Sequence, residues 1–311
     1  MTLTQLEYFV AVDTHRHFAK AAAACFVTQP TLSMQLKKLE EELGVTLFDR
    51  NKQPVEPTEE ALRLLPMAKE MLSWGQKMKE AIVPTDEEPQ GIIRLGIIPT
   101  LAPYVLPLVL PSFGKKYPKI RLEIRELTTA QLLEELRLGS LDAGLAATPL
   151  NAKGYIEKPL FYEPFVAYLS ADNPLRKKKN LSVQEINPDE LWLLDEGHCF
   201  RDQVLNLCSR QSGKSMHSNI SLKAGSIETL RALVEQDAGA TLLPELATLH
   251  FQPRQRSSLR FFRSPEPVRE VSLITRKGAA VPGILALLEA CIRNAVPERY
   301  HNADPARVVP L

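Results

Sequence analysis

Hydrophobic positions in the first 58 residues recur at helical spacing in three consecutive segments. The first follows Thr2 and Thr4, and its apolar stripe consists of Leu3, Leu6, Phe9, Val10 and Val12. The second, residues 18–25, is short and rich in alanine. The third starts at Gln29, and its apolar face consists of Leu32, Leu36, Leu39 and Leu43. This pattern predicts three helices, which fit a generic three-helix bundle as well as a DNA-binding domain.

The third segment has the features of a DNA-recognition helix. Thr28 is placed to cap it, and Pro30 lies in its first turn, where proline is tolerated. Its other faces carry the polar side chains of Gln29, Thr31, Ser33, Gln35 and Lys38. Short polar side chains at a helix N-terminus suit contact with base edges in a major groove. After Gly44, residues 45–58 predict a small β wing with Arg50 near its tip.

Residues 59–89 predict a long linker helix followed by a hinge. Small or apolar residues recur at spacings of three and four, namely Ala61, Leu65, Ala68, Leu72, Gly75, Met78 and Ile82. This seam favours pairing with a partner helix, and the alternative is packing against its own domain. Pro66 is expected to bend or break the helix interior. Residues 84–89 form a polar hinge bounded by prolines.

Strand-like and helix-like segments alternate from residue 91 to residue 294. The predicted strands are residues 92–98, 121–126, 141–146, 165–169, 191–194, 240–244 and 271–274, and the predicted helices are residues 102–117, 131–138, 226–236 and 282–294. This alternation indicates an α/β domain with a mostly parallel sheet. Thr100 and Thr129 follow strands, and ligands of such sheets bind beyond the carboxyl ends of the strands. Both threonines are therefore expected to line a cleft.

The bulk composition fixes the class of protein but not its partners. The 311 residues are 44% hydrophobic and 24% charged, with a net charge of +1, as in an ordinary soluble globular protein. No run of 18 apolar residues is present, and the N-terminus lacks a basic region followed by an apolar core. A cytoplasmic protein without membrane contact is expected. Four cysteines are too few for a disulfide scaffold, so any disulfide is expected to be regulated rather than structural.

Residues 197–208 hold two of these cysteines, at positions 199 and 208. Phe200, Val204 and Leu207 recur at helical spacing, so most of this segment predicts a helix. Nine helical residues separate two Cα atoms by roughly 13 Å at ~1.5 Å per residue. A disulfide tolerates only about 4.4–6.8 Å between Cα atoms. The helix and a Cys199–Cys208 disulfide therefore exclude one another.

The residues around Cys199 suggest a reactive thiol. A cysteine reduces peroxide only as a thiolate, and the site needs a lowered cysteine pKa together with donors for the developing charge. Cys199 lies near a predicted helix start, where free N–H groups favour an anion. His198 and Arg201 supply positive charge or donors, and Asp202 is able to orient them. The product is a sulfenic acid, which a second thiol such as Cys208 condenses into a disulfide.

Two other readings of these residues stay open on the sequence. Buried inert cysteines are common, and Cys25 and Cys291 are expected to be core residues of this kind. A zinc site of His198, Cys199, Cys208 and His217 lacks the close Cys and His spacing of such sites, so no metal and no cofactor are expected.

The N-terminal sixty residues resemble the winged helix-turn-helix of LysR-type transcriptional regulators. The matching stretches are residues 6–12, 21–22, 27–33, 39–45 and 48–50. The resemblance implies that the third helix reads the major groove of double-stranded DNA and that the wing arginine reaches the minor groove. The DNA-contact residues implied are Gln29, Pro30, Thr31, Ser33, Gln35, Lys38 and Arg50.

The resemblance also implies the domain organisation. It places a winged helix-turn-helix at residues 1–58, a linker and dimerisation helix with a hinge at 59–89, and a tail at 299–311. Between them it places a two-lobed, periplasmic-binding-protein-like (Rossmann-like) α/β regulatory domain. Lobe I of that domain comprises residues 90–162 and 270–298, and lobe II comprises residues 163–269 with the redox cysteines.

Residues 196–203, with Cys208 further on, resemble the peroxide-sensing branch of the same family. This implies that Cys199 reacts with hydrogen peroxide, that Cys208 resolves it, and that the pocket consists of Thr100, Thr129, His198, Arg201, Asp202, His217 and Arg269. Residues 226–231 match a region that faces the oligomer. The implied protein is a peroxide-responsive regulator acting in oxidative stress as a homodimer or homotetramer with RNA polymerase. It is not an enzyme. The rivals are a regulator with a small-molecule effector in the cleft and a thiol peroxidase.

Overall fold

The computed structural model describes residues 1–80, 88–208, 222–236, 239–279, 283–302 and 307–311. The chain divides into two compact units. Unit 1 comprises Met1–Glu88 with the short segments Glu134–Asp142 and Gly278–Gly283, and unit 2 comprises the rest. Nowhere in the described ranges is a helix both long enough and apolar enough to cross a membrane.

Unit 1 begins with the three predicted helices, α1 (Leu3–His15), α2 (Phe18–Ala24) and α3 (Gln29–Leu43). Each starts at a residue whose side chain accepts backbone N–H groups: Thr2, His17 and Thr28. The α3 helix ends at Gly44, whose φ of 69° suits glycine. The leucines at 32, 36 and 39 are buried as predicted, but Leu43 is 37% exposed, so its assignment to the core was wrong.

The predicted wing is a two-stranded antiparallel ribbon of β1 (Phe48–Asp49) and β2 (Glu56–Pro57). Phe48 is buried and meets the ring of Phe9 edge-on at 5.7 Å between centroids, which ties the wing to α1. Cys25, expected in the core, is half-buried at the end of α2. Cys291 is likewise half-buried.

The linker helix is α4 (Glu59–Glu80), and it continues through Pro66 without a break. The predicted partner seam was wrong. Ala61, Leu65 and Ala68 are buried in the core of unit 1, and Gly75 lies against Leu3 of α1. Ile82 and most of the predicted hinge fall outside the described residues. The exposed apolar side chains of α4 are Leu62, Met67, Met71, Trp74 and Met78, of which Met78 alone belongs to the predicted seam.

Unit 2 opens with strand–helix alternation as predicted. Its first elements are β3 (Gly91–Ile97), α5 (Ala102–Lys116), β4 (Ile120–Glu126), α6 (Thr129–Arg137) and β5 (Ala143–Thr148). Strand β3 pairs in parallel with both β4 and β5. The close packing of α6 on β5 is visible at Gly144, where an added Cβ would lie 2.3 Å from a Leu132 methyl carbon.

The remaining strands are β6 (Tyr155–Leu169), β7 (Asn180–Leu181), β8 (Ala240–Pro244), β9 (Leu259–Phe262) and β10 (Val268–Arg276). The remaining helices are α7 (Cys199–Leu207), α8 (Ile227–Glu235), α9 (Pro253–Ser257) and α10 (Leu285–Ala295), and short 3-10 turns cover residues 174–177, 183–185, 188–190, 245–248 and 298–300. The strand order is β4-β3-β5-β10-β6-β9-β7, and β8 also pairs with β6.

The sheet is mixed, so the prediction of a mostly parallel sheet was wrong. Strand β10 pairs antiparallel with β5 and β6, and β6 pairs antiparallel with β8 and β9. The first part of β6 belongs to a first sheet half with β3, β4, β5 and β10, and its last residues belong to a second sheet half with β7, β8 and β9. Residues 191–194 form no strand, because only Leu191 and Leu194 make single-residue bridges.

Candidate functional site

Helix α7 carries both redox candidates at its two ends. Gly197, at a φ of 90°, makes the turn that leads into the helix, and His198 is the N-cap residue. Cys199 is the first helical residue, and Cys208 is the C-cap. All four cysteines are free thiols. The segment is therefore helical in the dithiol state, as the distance argument requires.

Three groups from different elements surround the Cys199 sulfur. Thr129, the first residue of α6, has a buried hydroxyl oxygen with no hydrogen-bond partner in the thiol state among the described residues, and it is placed to donate to a thiolate at Cys199. The backbone N–H of Phe200 also faces this sulfur. The guanidinium of Arg269 on β10 supplies positive charge. Hydrogen-bond donors and positive charge of this kind stabilise the anionic form of a cysteine sulfur.

The expectation of a lowered cysteine pKa was wrong for this state. Burial raises the pKa of Cys199 above its ordinary value, and the Thr129 hydroxyl, the Arg269 charge and the Phe200 N–H lower it by less. The Asp202 carboxylate raises the same pKa further. Burial alone raises the pKa of Cys208 to about 11. Both thiols are thus mainly protonated at neutral pH.

The reactivity of Cys199 is consequently expected to keep increasing with pH above the ordinary cysteine pKa of ~8.5. A raised pKa delays ionisation, so the thiolate fraction and the rate climb together into the alkaline range. The measurement is the alkylation rate by iodoacetamide between pH 7 and 10, in a Cys25→Ser, Cys208→Ser, Cys291→Ser protein. Asp202→Asn is the matched variant, and its rate at pH 8 is expected to be higher. A rate that levels off below pH 8 would contradict the assignment.

Arg269 is the centre of a buried polar network. Its guanidinium donates from Nε to Glu163 at 2.7 Å and pairs with the same carboxylate oxygen through Nη2 at 2.6 Å. It also donates to the hydroxyl of Thr100 at 3.2 Å and to its carbonyl at 3.1 Å. Its guanidinium carbon lies 5.3 Å from the centroid of the Phe200 ring, which stacks on Phe165. The network links both sheet halves to the first turn of α7.

The structure brings most of the predicted pocket together. Thr129 and Arg269 lie beside the Cys199 sulfur, Thr100 joins them through its hydrogen bonds with Arg269, and Asp202 is exposed one turn along α7. The Arg201 guanidinium donates to the carbonyl of Leu194 at 2.9 Å, whereas the positive charge that acts on the Cys199 thiol is that of Arg269. The place of Arg201 in the pocket stays a prediction.

Of the two predicted pocket histidines, only His198 lies within the described residues. His198 is partly buried and caps α7 through its backbone, without a side-chain cap bond. His217 lies outside the described residues. The part of the chain that is described holds no group of three His, Cys, Asp or Glu able to bind a metal ion.

Glu163 and Gln203 belong to this region and were missed from the sequence. Glu163 is fully buried, and its other oxygen accepts the N–H of Leu246 at 2.8 Å. A charged residue inside a long apolar strand indicates a buried ion pair, but the predicted strand covered only residues 165–169 at the end of β6 and left Glu163 out. Gln203, on α7, is also fully buried.

Some of the predicted DNA-contact residues in unit 1 are exposed, and others make hydrogen bonds within the unit. Gln29, Pro30 and Lys38 are exposed. Thr31 shares a hydrogen bond of 2.8 Å with Thr28, and Gln35 accepts one from Gln5 at 3.3 Å.

Arg50 on the wing is folded back onto α3. It donates to Glu40 at 2.8 Å and to Ser33 at 3.2 Å, and its guanidinium carbon lies 5.2 Å from the centroid of the Phe18 ring.

Comparison with known proteins covers nearly the whole chain. Residues 3–62 match the bacterial regulatory helix-turn-helix protein, lysR family, and residues 86–296 match the LysR substrate binding domain. The hydrogen peroxide-inducible genes activator of Haemophilus influenzae is 37% identical over 279 residues, which is 90% of this chain and 92% of that protein.

Solved structures agree with this sequence similarity. A cysteine-to-aspartate variant of full-length OxyR from Pseudomonas aeruginosa is 35% identical, with a TM-score of 0.78 over 94% of this chain and 98% of that one. A hydrogen-peroxide-bound variant of Corynebacterium glutamicum OxyR is 31% identical, with a TM-score of 0.62 over 94% of each chain.

Proposed function

Since the chain belongs to the LysR family of bacterial transcriptional regulators, we propose that it is a DNA-binding regulator of the OxyR group that senses hydrogen peroxide through Cys199 and Cys208. The observation that carries the proposal is the placement of Cys199 at the start of α7, beside the unpartnered hydroxyl of Thr129 and the charge of Arg269, with Cys208 at the other end. Its relatives are named as peroxide-inducible gene activators and OxyR.

The first chemical step consumes one peroxide. The Cys199 thiolate attacks one peroxide oxygen, the O–O bond breaks, and the other oxygen leaves as hydroxide and takes a proton to become water. Cys199 is then a sulfenic acid. Thr129 and the Phe200 N–H are placed to donate to the developing negative charge, and Arg269 stabilises it electrostatically.

The second step forms the disulfide. The Cys208 sulfur, as thiolate, attacks the sulfur of the Cys199 sulfenic acid, the S–O bond breaks, and the oxygen leaves as water after protonation. Cys208 is 9% exposed and packs in the core of the second sheet half, so it must leave that core to reach Cys199. Helix α7 unwinds because its ends cannot otherwise meet.

The signal then passes to the oligomer and the DNA. We propose that unwinding rearranges a homotetramer, with residues 226–231 at a changing interface, and that the DNA contacts of α3 and the wing are re-spaced. The exposed apolar side chains of α4 support pairing with a second copy. Such a protein acts in the cytoplasm with RNA polymerase, and it reacts stoichiometrically rather than as an enzyme.

The proposed DNA-contact surface has the residue types that this role needs. Gln29, Thr31, Ser33 and Gln35 on α3 are suited to base edges, whereas Lys38 and Arg50 are suited to phosphates or the minor groove. Pro30 fixes the first turn of α3, which presents these side chains.

One observation favours the rival with a small-molecule effector in the cleft and inert cysteines. Burial raises the pKa of Cys199, which lowers the thiolate fraction at neutral pH, as expected for an inert cysteine. The two functions differ in a single measurement. We expect one equivalent of hydrogen peroxide to produce a Cys199–Cys208 disulfide, detected by mass spectrometry of proteolytic peptides. Absence of that bond at micromolar peroxide would refute the sensor and leave the rival.

Arg50→Ala is expected to weaken DNA binding and to reduce the salt dependence of that binding by roughly one unit of slope, because one phosphate or minor-groove contact is lost. The Glu40 partner must release Arg50 first, so Glu40→Gln is expected to change affinity in the opposite direction. Fluorescence anisotropy with an operator duplex measures both the affinity and its salt dependence. The salt concentration is varied over a range on the order of 50 to 200 mM. Lys52→Ala is the control, since Lys52 pairs with Glu56 within the wing. Equal slopes for Arg50→Ala and the unmodified protein would contradict the role.

A further inference from the structure

The C-terminal tail segment (residues 307–311) is docked against the redox helix. The backbone N–H of Val309 donates to the carbonyl of Val268 at 2.9 Å, and Val308 forms a parallel bridge with the same residue. Arg307 donates to the Glu266 carbonyl at 2.9 Å and pairs with the Glu266 carboxylate at 2.7 Å. The tail segment thus lies beside the start of β10, directly before Arg269.

Two side chains of α7 hold the tail segment by its backbone. Gln203 donates from Nε2 to the carbonyl of Val309 at 3.1 Å, and Asn206 donates from Nδ2 to the carbonyl of Pro310 at 3.3 Å. Gln203 is fully buried, and its side-chain oxygen has no hydrogen-bond partner in the described part of the chain. The one side-chain hydrogen bond that Gln203 makes among the described residues is therefore the bond to the tail segment.

The tail segment also completes the core around Cys208. Val309 is 6% exposed and belongs to the same apolar cluster as Phe200, Val204 and Cys208. A surface groove of about 250 Å³, open to solvent, runs beside this contact and is lined by Asn206, Leu207, Pro265, Pro267 and residues 307–310.

These contacts require α7 to be helical. Cys199, Gln203 and Asn206 follow one another at spacings of four and three, so they share one helix face. A disulfide between the helix ends reduces their Cα separation from roughly 13 Å to about 4.4–6.8 Å. The spacing that lets Gln203 and Asn206 reach successive tail carbonyls is then lost. A contact that is present in just one of two states shifts the equilibrium toward that state.

We propose that the C-terminal tail segment is a latch that holds α7 in its dithiol form and thereby sets how readily the Cys199–Cys208 disulfide forms. The proposal rests on the proposed function, because it presumes that this disulfide exists. Gln203 and Asn206 are positioning residues in this reaction: they touch neither peroxide nor the sulfur atoms, and act through the shape of the helix.

The test is the equilibrium between dithiol and disulfide in glutathione redox buffers, measured on the full-length protein and on Val309→Asp. A carboxylate at this buried position expels the tail segment and leaves α7 unchanged in sequence. The equilibrium constant for disulfide formation is expected to increase roughly tenfold, because two hydrogen bonds are lost from the dithiol state alone. By the two-electron relation, tenfold corresponds to about 30 mV. Leu311→Asp is the matched control, with the same charge placed one residue after Pro310, the last residue whose carbonyl accepts a hydrogen bond from α7.

A second variant and a second readout separate a latch from general damage to the fold. A chain ending at Asn302 removes the tail segment without adding a charge, and it tests the latch if Val309→Asp fails to fold. The latch predicts a larger fall in the unfolding midpoint for the dithiol form than for the disulfide form, because only the dithiol form loses the hydrogen bonds to α7. A merely structural role lowers both midpoints equally and leaves the redox equilibrium in place.

The outcomes are distinguishable from those of the proposed function. If the unmodified protein forms the disulfide and neither tail variant shifts the equilibrium by more than twofold, the latch is wrong and the sensor stands. If no variant forms the disulfide, both are overturned. An equal shift in Leu311→Asp would assign the effect to charge and would also overturn the latch.

Discussion

Arg269→Ala is expected to lower the free energy of unfolding by about 3–5 kcal/mol, the usual cost of removing one partner of a buried ion pair. Glu163 is fully buried and would keep its carboxylate without a counter-charge. Burial raises the pKa of Glu163, and the charge of Arg269 is the largest influence that lowers it. In the variant the carboxyl therefore folds preferentially in its protonated form.

The sign of the pH dependence follows from that protonation. Because the folded pKa of Glu163 then lies above its unfolded value, the variant is expected to be closest to the unmodified protein at acidic pH and to lose stability as the pH rises. Urea unfolding at pH 5.5 and pH 8 measures the effect. A loss below ~1 kcal/mol at pH 8, the size expected for an exposed pair, would show that Arg269 and Glu163 are not the buried pair described above.

The double variant Arg269→Met, Glu163→Gln separates stability from reactivity. The glutamine still accepts the Leu246 N–H, and no charge is left buried, so most of the lost stability is expected to return. The positive charge beside Cys199 remains absent. Its reaction with peroxide is expected to stay about tenfold slower or more, which corresponds to one unit in the thiol pKa. Recovery of both properties would assign Arg269 a structural role alone.

The sequence pattern was sufficient for elements whose cause is local. The starts of α1 and α3 follow from apolar spacing and from the caps at Thr2 and Thr28, and α2 ends one residue before the predicted residue 25. The placement of Cys199 and Cys208 at opposite ends of one helix followed from apolar spacing and from the rise of the α-helix.

Properties that depend on tertiary contact were not accessible in the same way. The seam of α4 has the spacing of a dimer interface, but α1 of the same chain covers it, and periodicity does not tell one partner from another. Strand β6 is 15 residues long, and its first part escaped notice because prolines and charges interrupt the apolar pattern. Strand direction was misjudged because β6 and β10 run antiparallel to their neighbours.

The chemistry of the site shows the same division. A helix N-terminus beside His198 and Arg201 predicted a lowered cysteine pKa, whereas burial raises the pKa of Cys199 by more than the surrounding donors and charge lower it. The charge that matters comes from Arg269, 70 positions away from Cys199 in sequence, and it is held by Glu163. This buried charge pair is set by the register of two neighbouring strands, β6 and β10, which places Arg269 opposite Glu163, and no short motif specifies such a register.

Cys208→Ser is expected to separate the chemistry of sensing from its transmission. Cys199 keeps its surroundings in this variant, so one equivalent of peroxide is expected to form a sulfenic acid that dimedone traps. No disulfide can follow, so α7 stays helical, and the DNA footprint is expected to remain that of the dithiol protein. In Cys199→Ser the reaction itself is expected to fall to the background level, because a hydroxyl is not ionised at neutral pH as a thiol partly is.

Matched controls exist at the two other cysteines. Cys25 and Cys291 are half-buried thiols outside the site, so Cys25→Ser and Cys291→Ser are expected to leave disulfide formation and the footprint shift intact. A footprint that still shifts with peroxide in Cys208→Ser would mean that sulfenic acid formation alone moves α7. The buried position of Cys208 argues against this, because residue 208 packs in the apolar core as long as no S–S bond holds it outside. The disulfide is therefore the step that keeps the helix unwound.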